Sequence, residues 1–305
     1  MNISIIIVNF NTIELLKRCL TSIKRYAGIT GYEIIVVDNN SNDGSSAMVQ
    51  HEFPEVRLIA SKENLGFVGG NNLAAKSAQG KYLLLLNSDT ELTEEGLSGI
   101  YEFAEHRHDA GLVGGKMLNA DGSVQYSCRK FPTLLSEFIN QTFCLIKYFN
   151  PFATSHKMMK FDYNSIQAVD WVSGAYMLLK KDLASSIGLF NPHIFMFFED
   201  TDLCKRIRKT GREIYFYPSS TIYHFHGMSS KKNISRSIAA CFHGSLIYFC
   251  THHGKRKTHL YKWAVLSMWH LFKYGFSISS KLIHHPKLIK KRELFTQCIV
   301  EYKIR

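Results

Sequence analysis

Apolar and polar residues fall in alternating blocks along the first part of the chain. Ile3 to Val8 is a continuous, β-branched run that ends in Asn9, Asn11 and Thr12, after which Leu15, Leu16, Cys19, Leu20 and Ile23 recur at helical spacing. A strand is therefore followed by a helix. Glu33 to Val37 repeats the pattern and ends in the polar stretch Asp38 to Ser45, and Val56 to Ile59 leads through a Gly- and Asn-rich stretch to a helix at Ala74 to Ala78. From Tyr82 four consecutive leucines, Leu83 to Leu86, run straight into Asn87, Ser88 and Asp89. Such a run predicts a strand covered on both faces, as in a parallel sheet between helices. Alternating units of this kind predict an α/β fold with a mainly parallel, doubly wound sheet, whose right-handed crossovers gather the polar strand ends on one edge. Open α/β sheets bind ligands at that carboxyl edge, so Asp38 and Asp89 are expected to converge there.

The loop Asn64-Leu65-Gly66-Phe67-Val68-Gly69-Gly70-Asn71-Asn72 lacks the GxGxxG spacing of a dinucleotide fingerprint, and no GxxxxGK followed by Ser or Thr occurs. Dehydrogenase and P-loop readings lose their main support. Two readings of the loop remain: Gly66, Gly69 and Gly70 let the backbone approach a nucleotide, with Asn71 and Asn72 capping the next helix and neighbouring N–H groups facing the diphosphate, or the segment is a plain turn and N-cap. Asp38 likewise suits either a turn residue or an acceptor for the base or ribose of a nucleotide.

Beyond Leu118 the alternation loosens into Cys128-Arg129-Lys130-Phe131-Pro132 and the aromatic stretch Phe138 to Phe152. Val169 to Leu179 is a second buried strand, with Gly174 where a larger side chain would obstruct a ligand or a neighbouring backbone. After a turn at Gly188 to Pro192, the aromatic residues Phe195 to Phe198 lead into Glu199-Asp200-Thr201-Asp202. Leu203 and Ile207 on one face and Lys205, Arg206, Arg208 and Lys209 on the rest make an amphipathic helix that ends at Gly211. Its three acids either complement the helix dipole or include a general base whose pKa is raised by Phe195, Phe197 and Phe198. His224 and His226, two apart, point the same way on a strand. Without a nearby cysteine they suit one histidine of a divalent-metal or phosphate site, or a plain strand end, better than a zinc centre.

Composition is that of a globular protein: 305 residues, 46% hydrophobic and 20% charged. The seven cysteines are scattered with no CxxC, which argues against a disulfide framework and fits a reducing cytosol. The opening MNISIIIVNF begins a strand at once, so no secretory leader is expected. The net charge of +12 is uneven: residues 231–305 carry 15 Lys and Arg against Glu293 and Glu301 only, leaving 22 basic and 23 acidic side chains in residues 1–230. The tail's Val265, Met268, Trp269, Phe272 and Phe276 share one side at helical spacing, with Lys262, His270 and Lys273 on another. This stripe reads as an interfacial helix at an anionic leaflet or as a face that packs on the protein; no 18-residue apolar run would span a bilayer. A nucleic-acid binder is the rival reading of the basic tail, without zinc-finger, RNP or helix-turn-helix support.

Taken in order, SIIIVNFN, VVDNNSNDGS, NLGFVGGNN, LLLLNSDT, VDWVSGAYMLL, IGLFNPHIFMFFEDTDLCKRIRKTG and YHFHGMSS resemble the family 2 inverting glycosyltransferases with a GT-A fold. Within these the chain is similar to bacterial rhamnosyltransferase-like enzymes of O-antigen and capsular polysaccharide assembly. The resemblance covers residues 3 to 230. It implies a GT-A domain over 1–230, with a nucleotide-binding half at 1–118 and an acceptor and catalytic half at 119–230, followed by a basic amphipathic helical extension at 231–305. It implies donor contacts from Asn9, Asp38, Asn64, Gly66, Gly69, Asn71, Asn87 and Ser88, with Asp38 on the base or ribose. Asp89 of the DxD-type motif and His224 would hold Mg²⁺ or Mn²⁺, and Asp200 would be the catalytic base. Asp170, Trp171, Gly174 and Glu199 would lie on the acceptor side, along with residues 131–160. One departure is that Asn87 stands where the motif has its first carboxylate, so the metal is expected to be held loosely and completed by the donor diphosphate.

The implied partners are a nucleotide-diphosphate sugar, dTDP-rhamnose by subgroup, and a glycan or polyprenyl-diphosphate-linked acceptor. A UDP-hexose or UDP-N-acetylhexosamine donor is the alternative, as is a non-catalytic sugar- or nucleic-acid-binding protein of the same fold. The implied location is cytoplasmic, peripheral at the inner face of the plasma membrane and held to its anionic surface by the C-terminal helices, with no nucleic acid involved.

Overall fold

The computed structural model describes residues 1–143, 161–225, 234–283 and 286–304. The first half follows the block pattern of the sequence: β1 (Ile3–Asn9), α1 (Ile13–Tyr26), β2 (Tyr32–Asp38), α2 (Ser45–Glu52), β3 (Arg57–Ala60), α3 (Gly66–Ser77) and β4 (Tyr82–Asn87). β1 pairs in parallel with β2 and β4, and β2 with β3. Ile5, Ile6, Ile7, Leu84 and Leu85 are all fully buried, so both faces of these strands are covered and their unbroken apolar runs have a physical cause.

The second half adds β5 (Thr90–Leu92), α4 (Ser98–His106), β6 (Ala110–Leu118), β7 (Cys128–Arg129), α5 (Leu134–Phe143), β8 (Gln167–Val169), β9 (Trp171–Val172), β10 (Tyr176–Lys180), α6 (Lys181–Ile187), α7 (Glu199–Lys209) and β11 (Glu213–His224). Among the described residues the main sheet has nine strands in the order β3-β2-β1-β4-β10-β6-β11-β5, with β8 also on β11, and β7 pairs with β9 beside it. The sheet is mixed: β10 runs antiparallel to both β4 and β6, while β11 is parallel to β6. The reversal of β10 puts its first residue, Tyr176, and the preceding Ala175 at the carboxyl edge of β4, where Asn87 N–H donates to Ala175 O at 3.1 Å.

Helix α3 departs from the sequence reading. It starts at Gly66, so Asn71 and Asn72 lie inside it instead of capping it. Three glycines weaken a helix in isolation, but here they admit close packing. A β-carbon on Gly70 would stand 2.8 Å from Val8 Cγ1 of β1, and one on Gly66, which has φ +71°, would stand 2.6 Å from the Phe195 ring.

The chain divides into two compact units. One holds the sheet with α1–α4, α6 and α7. The other holds α5, residues 196–198, α8 (Ile234–His253), α9 (Lys255–Ile283) and α10 (Pro286–Ile304), so it takes up pieces that a cut at residue 230 leaves with the first. Its core joins Phe242, Tyr248 and Phe249 of α8, Tyr261, Val265 and Trp269 of α9, and Phe295, Cys298 and Ile299 of α10. Phe272 and Phe276 pack on that core, and Trp269 Nε1 donates to Gln141 O at 2.8 Å. The stripe Val265, Trp269, Phe272 and Phe276 is therefore not an interfacial face. Neighbouring helices cover it because the same periodicity serves either purpose.

Candidate active site

Four strand ends build the site. Asn9 and Asp38 are register partners on β1 and β2, and Val8 is opposite Asn87 on β4. The Asp38 carboxylate is 2% exposed and fully engaged: Oδ1 accepts from Asn9 Nδ2 at 2.8 Å and Ser41 Oγ at 2.6 Å, and Oδ2 from Ser41 N–H at 3.0 Å and Ser46 Oγ at 2.9 Å. Its lone pairs hold the loop after β2, so a direct bond to a base or ribose would have to displace one of these donors. The chain of bonds continues from Asn9 Oδ1 to Thr12 Oγ1 at 2.6 Å and from Thr12 Oγ1 to Ser88 Oγ at 3.1 Å. Asn11 and Asn40 adopt positive φ, which asparagine tolerates, and Asn11 Oδ1 accepts from Asn42 N–H at 2.9 Å. Asp43 accepts from Ile13 N–H and from Ser45 through both its N–H and its Oγ. Partial burial works against its charge, but these bonds outweigh it and hold the carboxyl below its ordinary value.

The Gly-rich segment reaches the same edge from α3. Asn64 Oδ1 accepts from Gly66 N–H at 2.9 Å, and Gly66 O accepts from Asn39 Nδ2 at 3.0 Å. Asn71 Nδ2 turns back to Phe67 O at 2.8 Å, and a β-carbon on Gly69 would meet Leu65 Cβ at 2.8 Å. These positions serve the helix's own packing. Asn39 is the residue that the sequence reading passed over. It is 2% exposed, and its Oδ1 has no hydrogen-bond partner among the described residues, a buried acceptor beside the strand ends.

Asp89 and His224 meet although 135 positions separate them, because β5, directly after Asp89, pairs antiparallel with the end of β11 and sets Thr90 opposite His224. His224 is 4% exposed and its Nε2 lies 3.2 Å from Asp89 Oδ1 and 3.4 Å from Asn87 Nδ2. Gln125 fixes the ring. Its Nε2 donates to Asn119 Oδ1 at 3.0 Å, which leaves Oε1 to accept from His224 Nδ1–H at 2.6 Å and turns Nε2 toward Asp89. A proton between Nε2 and Oδ1 satisfies this pair, and the same two atoms form a donor set for a cation. One carboxylate and one imidazole suit a divalent ion that accepts nitrogen as well as oxygen, Mn²⁺ more readily than Mg²⁺. No cluster of three or more His, Cys, Asp or Glu forms among the described residues. His226 lies outside the described residues.

Asp200 opens α7. Its Oδ2 accepts from Gly174 N–H at 3.1 Å, and its Oδ1 from Thr201 N–H at 2.7 Å and Thr201 Oγ1 at 3.2 Å. Although an edge of the residue reaches solvent, burial of the carboxyl group raises its pKa above the ordinary aspartate value, against the pull of those bonds and of the Arg129 charge. A β-carbon on Gly174 would lie 3.6 Å from both Asp200 Cβ and the Phe67 ring, an ordinary contact; what Gly174 contributes is its N–H. The aromatic wall is distributed differently from the expectation, with Phe195 covering Gly66 and Phe198 packing on Tyr248. Phe197 and Phe198, just before Glu199, hold φ of +69° and +71°, which costs bulky residues on the order of 1–3 kcal/mol each.

The other two acids of that turn differ. Asp202 is fully buried and pairs with Arg206 at 2.8 Å, whose guanidinium also donates to the carbonyls of Ile187, Gly188 and Leu189. It is structural. Glu199 is 7% exposed at the helix start. Asp170 Oδ2 accepts from Phe131 N–H at 2.9 Å and Trp171 Nε1 donates to Lys130 O at 3.0 Å, which pins the segment after β7. Arg129, opposite Trp171 in the β7–β9 pair, lays its guanidinium over the indole at 5.2 Å, and its buried Nε has no hydrogen-bond partner among the described residues. Residues 144–160 of the expected acceptor region lie outside the described residues, and 132–143 belong to the helical unit.

The mixed α/β sheet that gathers these polar strand ends on one edge has a GT-A-like fold. Solved structures agree on the fold: Staphylococcus aureus TarS residues 1-349 superposes with a TM-score of 0.54 at 18% identity over 99% of this chain and 89% of that one. The mannosyltransferase PcManGT from Pyrobaculum calidifontis, in complex with GDP-Man and Mn²⁺, gives 0.54 at 15% identity over 98% and 85%. Residues 4–165 match the family model "Glycosyl transferase family 2", and the chain belongs to that family. It is a glycosyltransferase. Its relatives include the N-acetylglucosaminyl-diphospho-decaprenol L-rhamnosyltransferase of Mycobacterium tuberculosis, 24% identical over 72% of this chain and 75% of that protein. Rhamnosyltransferase WbbL of Escherichia coli (strain K12) is 28% identical over 72% and 82%.

Proposed function

We propose that this enzyme transfers L-rhamnose from dTDP-rhamnose, with inversion, to a hydroxyl of a sugar carried on a polyprenyl diphosphate, in cell-surface polysaccharide synthesis. The names of the two rhamnosyltransferase relatives support the sugar and the carrier. The observation that carries the chemistry is Asp200, a buried carboxylate oriented by Gly174 N–H and Thr201 N–H at the sheet edge that also bears Asp89 and His224.

In this reading Asp200 takes the proton of the acceptor hydroxyl as that oxygen attacks the anomeric carbon from the face opposite the nucleotide. Its raised pKa makes it a better proton acceptor than an ordinary aspartate, while the bonds from Gly174 and Thr201 N–H and then the Arg129 charge favour its ionised form. Asp89 and His224 would hold Mn²⁺ or Mg²⁺, which supplies charge neutralisation for the departing diphosphate. Asp38 acts on the donor by holding Asn9 and Ser41 in place, Ser88 and Asn87 line the path from them to Asp89, and the start of α3 from Gly66 to Asn71 and the open acceptor of Asn39 flank the base. Trp171, Asp170 and Glu199 border the acceptor, whose lipid carrier sets the enzyme against the cytoplasmic membrane face.

Calorimetric titration of dTDP, UDP and GDP, each with Mn²⁺ and with EDTA, tests the reading. Metal-dependent preference for dTDP, followed by transfer from dTDP-rhamnose, is the expected result. Preference for UDP would replace the donor, and no nucleotide binding under any condition would overturn the reading.

A further inference from the structure

We propose that the outward side of α9 is a membrane-docking surface that lies flat on a bilayer rich in anionic lipid. The inference rests on the lipid-linked acceptor only for its biological sense; the surface itself is read from residues. Helix α9 has 29 residues, about 43 Å of helix. Its inner side feeds the helical core through Tyr261, Val265 and Trp269. Its other side exposes Leu260 (72%), Trp263 (57%), Leu271 (61%), Tyr274 (62%) and Ile278 (62%). These five are nearly half of the twelve large apolar side chains exposed among the described residues. Their spacing of three, eight, three and four residues keeps them on one side of a helix, in a stripe about 27 Å long. A stripe of that extent is more than the scattered apolar surface of an ordinary soluble face.

Charge selects the occupant. Helix α9 carries Lys255, Arg256, Lys257, Lys262, Lys273 and Lys281 and no Asp or Glu. Lys255, Arg256 and Lys257 are exposed, and Arg256 shares the side of Leu260 and Trp263 at i+4 and i+7. At that end a shallow recess of about 470 Å³ is lined by Lys255, Arg256, His259 and Leu260, so that cations and the apolar stripe meet. A second copy of the chain would set this cationic helix against another without any carboxylate on it to offset the repulsion. An anionic leaflet supplies the opposite charge, and the interfacial preference of Trp and Tyr suits Trp263 and Tyr274. No helix among the described residues is long and apolar enough to cross a membrane, and the inner side of α9 is already covered, so one side remains to lie on the surface.

The test is co-sedimentation of the full chain with vesicles of phosphatidylcholine alone or with about one-third phosphatidylglycerol, alongside the variants Trp263→Glu/Leu271→Glu and Lys255→Glu/Arg256→Glu/Lys257→Glu. The expected result is binding to the anionic vesicles that weakens in high salt and falls about tenfold or more in each variant, with thermal melting and calorimetric nucleotide binding unchanged. Failure of the wild-type chain to sediment with anionic vesicles, or undiminished sedimentation of the Trp263→Glu/Leu271→Glu variant, overturns the proposal. So does light scattering that shows a dimer broken by that variant with vesicle binding intact. Because nucleotide binding is read separately, vesicle binding without it would sink the transferase reading and leave the docking surface standing.

Discussion

As the proposed base, Asp200 would work only while ionised, and its environment decides the pH at which that holds. Burial raises its pKa, so the proton is held to higher pH than on an ordinary aspartate, and turnover should fall on acidification from a correspondingly higher pH. Arg129 opposes that shift. Arg129→Ala should therefore move the acid limb of the rate profile further up in pH, whereas Arg129→Lys, which keeps the charge, should move it less. A limb unmoved in Arg129→Ala would show that Arg129 does not tune the base. Asp200→Asn should lose on the order of 10²-fold or more in turnover while nucleotide binding persists; normal turnover in this variant would remove the base assignment. Asp89→Ala should do the reverse and weaken nucleotide binding in Mn²⁺ while leaving binding in EDTA unchanged, as calorimetry can report.

Elements explain why residues distant in the chain act together. Helix α7 presents two carboxylates two positions apart with different surroundings: Asp200 faces Gly174 at the sheet edge, while Asp202 faces inward to Arg206. Removing Asp202 strands the Arg206 charge. Asp202→Ala should cost about 3 kcal/mol of folding stability, measurable by urea unfolding, well beyond the cost of an exposed ion pair such as Lys17–Glu52. Likewise β11 carries His224 to Asp89 only because β5 pairs with its last residues, and the strand accommodates Pro218 at an irregularity between Tyr217 and Thr221.

At the scale of the whole molecule, two units divide the labour by composition. The sheet unit is built from fully covered apolar strands with polar ends, and the helical unit from aromatic side chains under a cationic exterior. Much of the first was legible in the sequence, because the apolar runs Ile3–Val8 and Leu83–Leu86 and the polar residues that end them are local signals. The second was legible as helices, but which of two neighbours its stripe meets was not. Val265 and Trp269 have the same spacing whether they meet lipid or Phe242 and Phe295, and only the position of α8 and α10 tells these apart. Helix α3 was misplaced at its start for a related reason, since the glycines that weaken it locally are the ones that let it pack on Val8.

The chain by itself determined most of the strands and helices of the first half and which strand ends are polar, with Asp38 and Asp89 among them, because propensity and periodicity act within a few residues; Asp200 and His224 were singled out by the resemblance of their motifs. Tertiary structure decided that β10 runs backwards, which brings Gly174 N–H to Asp200. It also decided that Gln125 turns His224 Nε2 to Asp89, that Asp38 gives its lone pairs to its own loop, and that α9 faces outward with Leu260, Trp263, Leu271, Tyr274 and Ile278. Strand direction, ring orientation and the choice of covered face depend on partners many residues away, and no local pattern encodes which partner arrives.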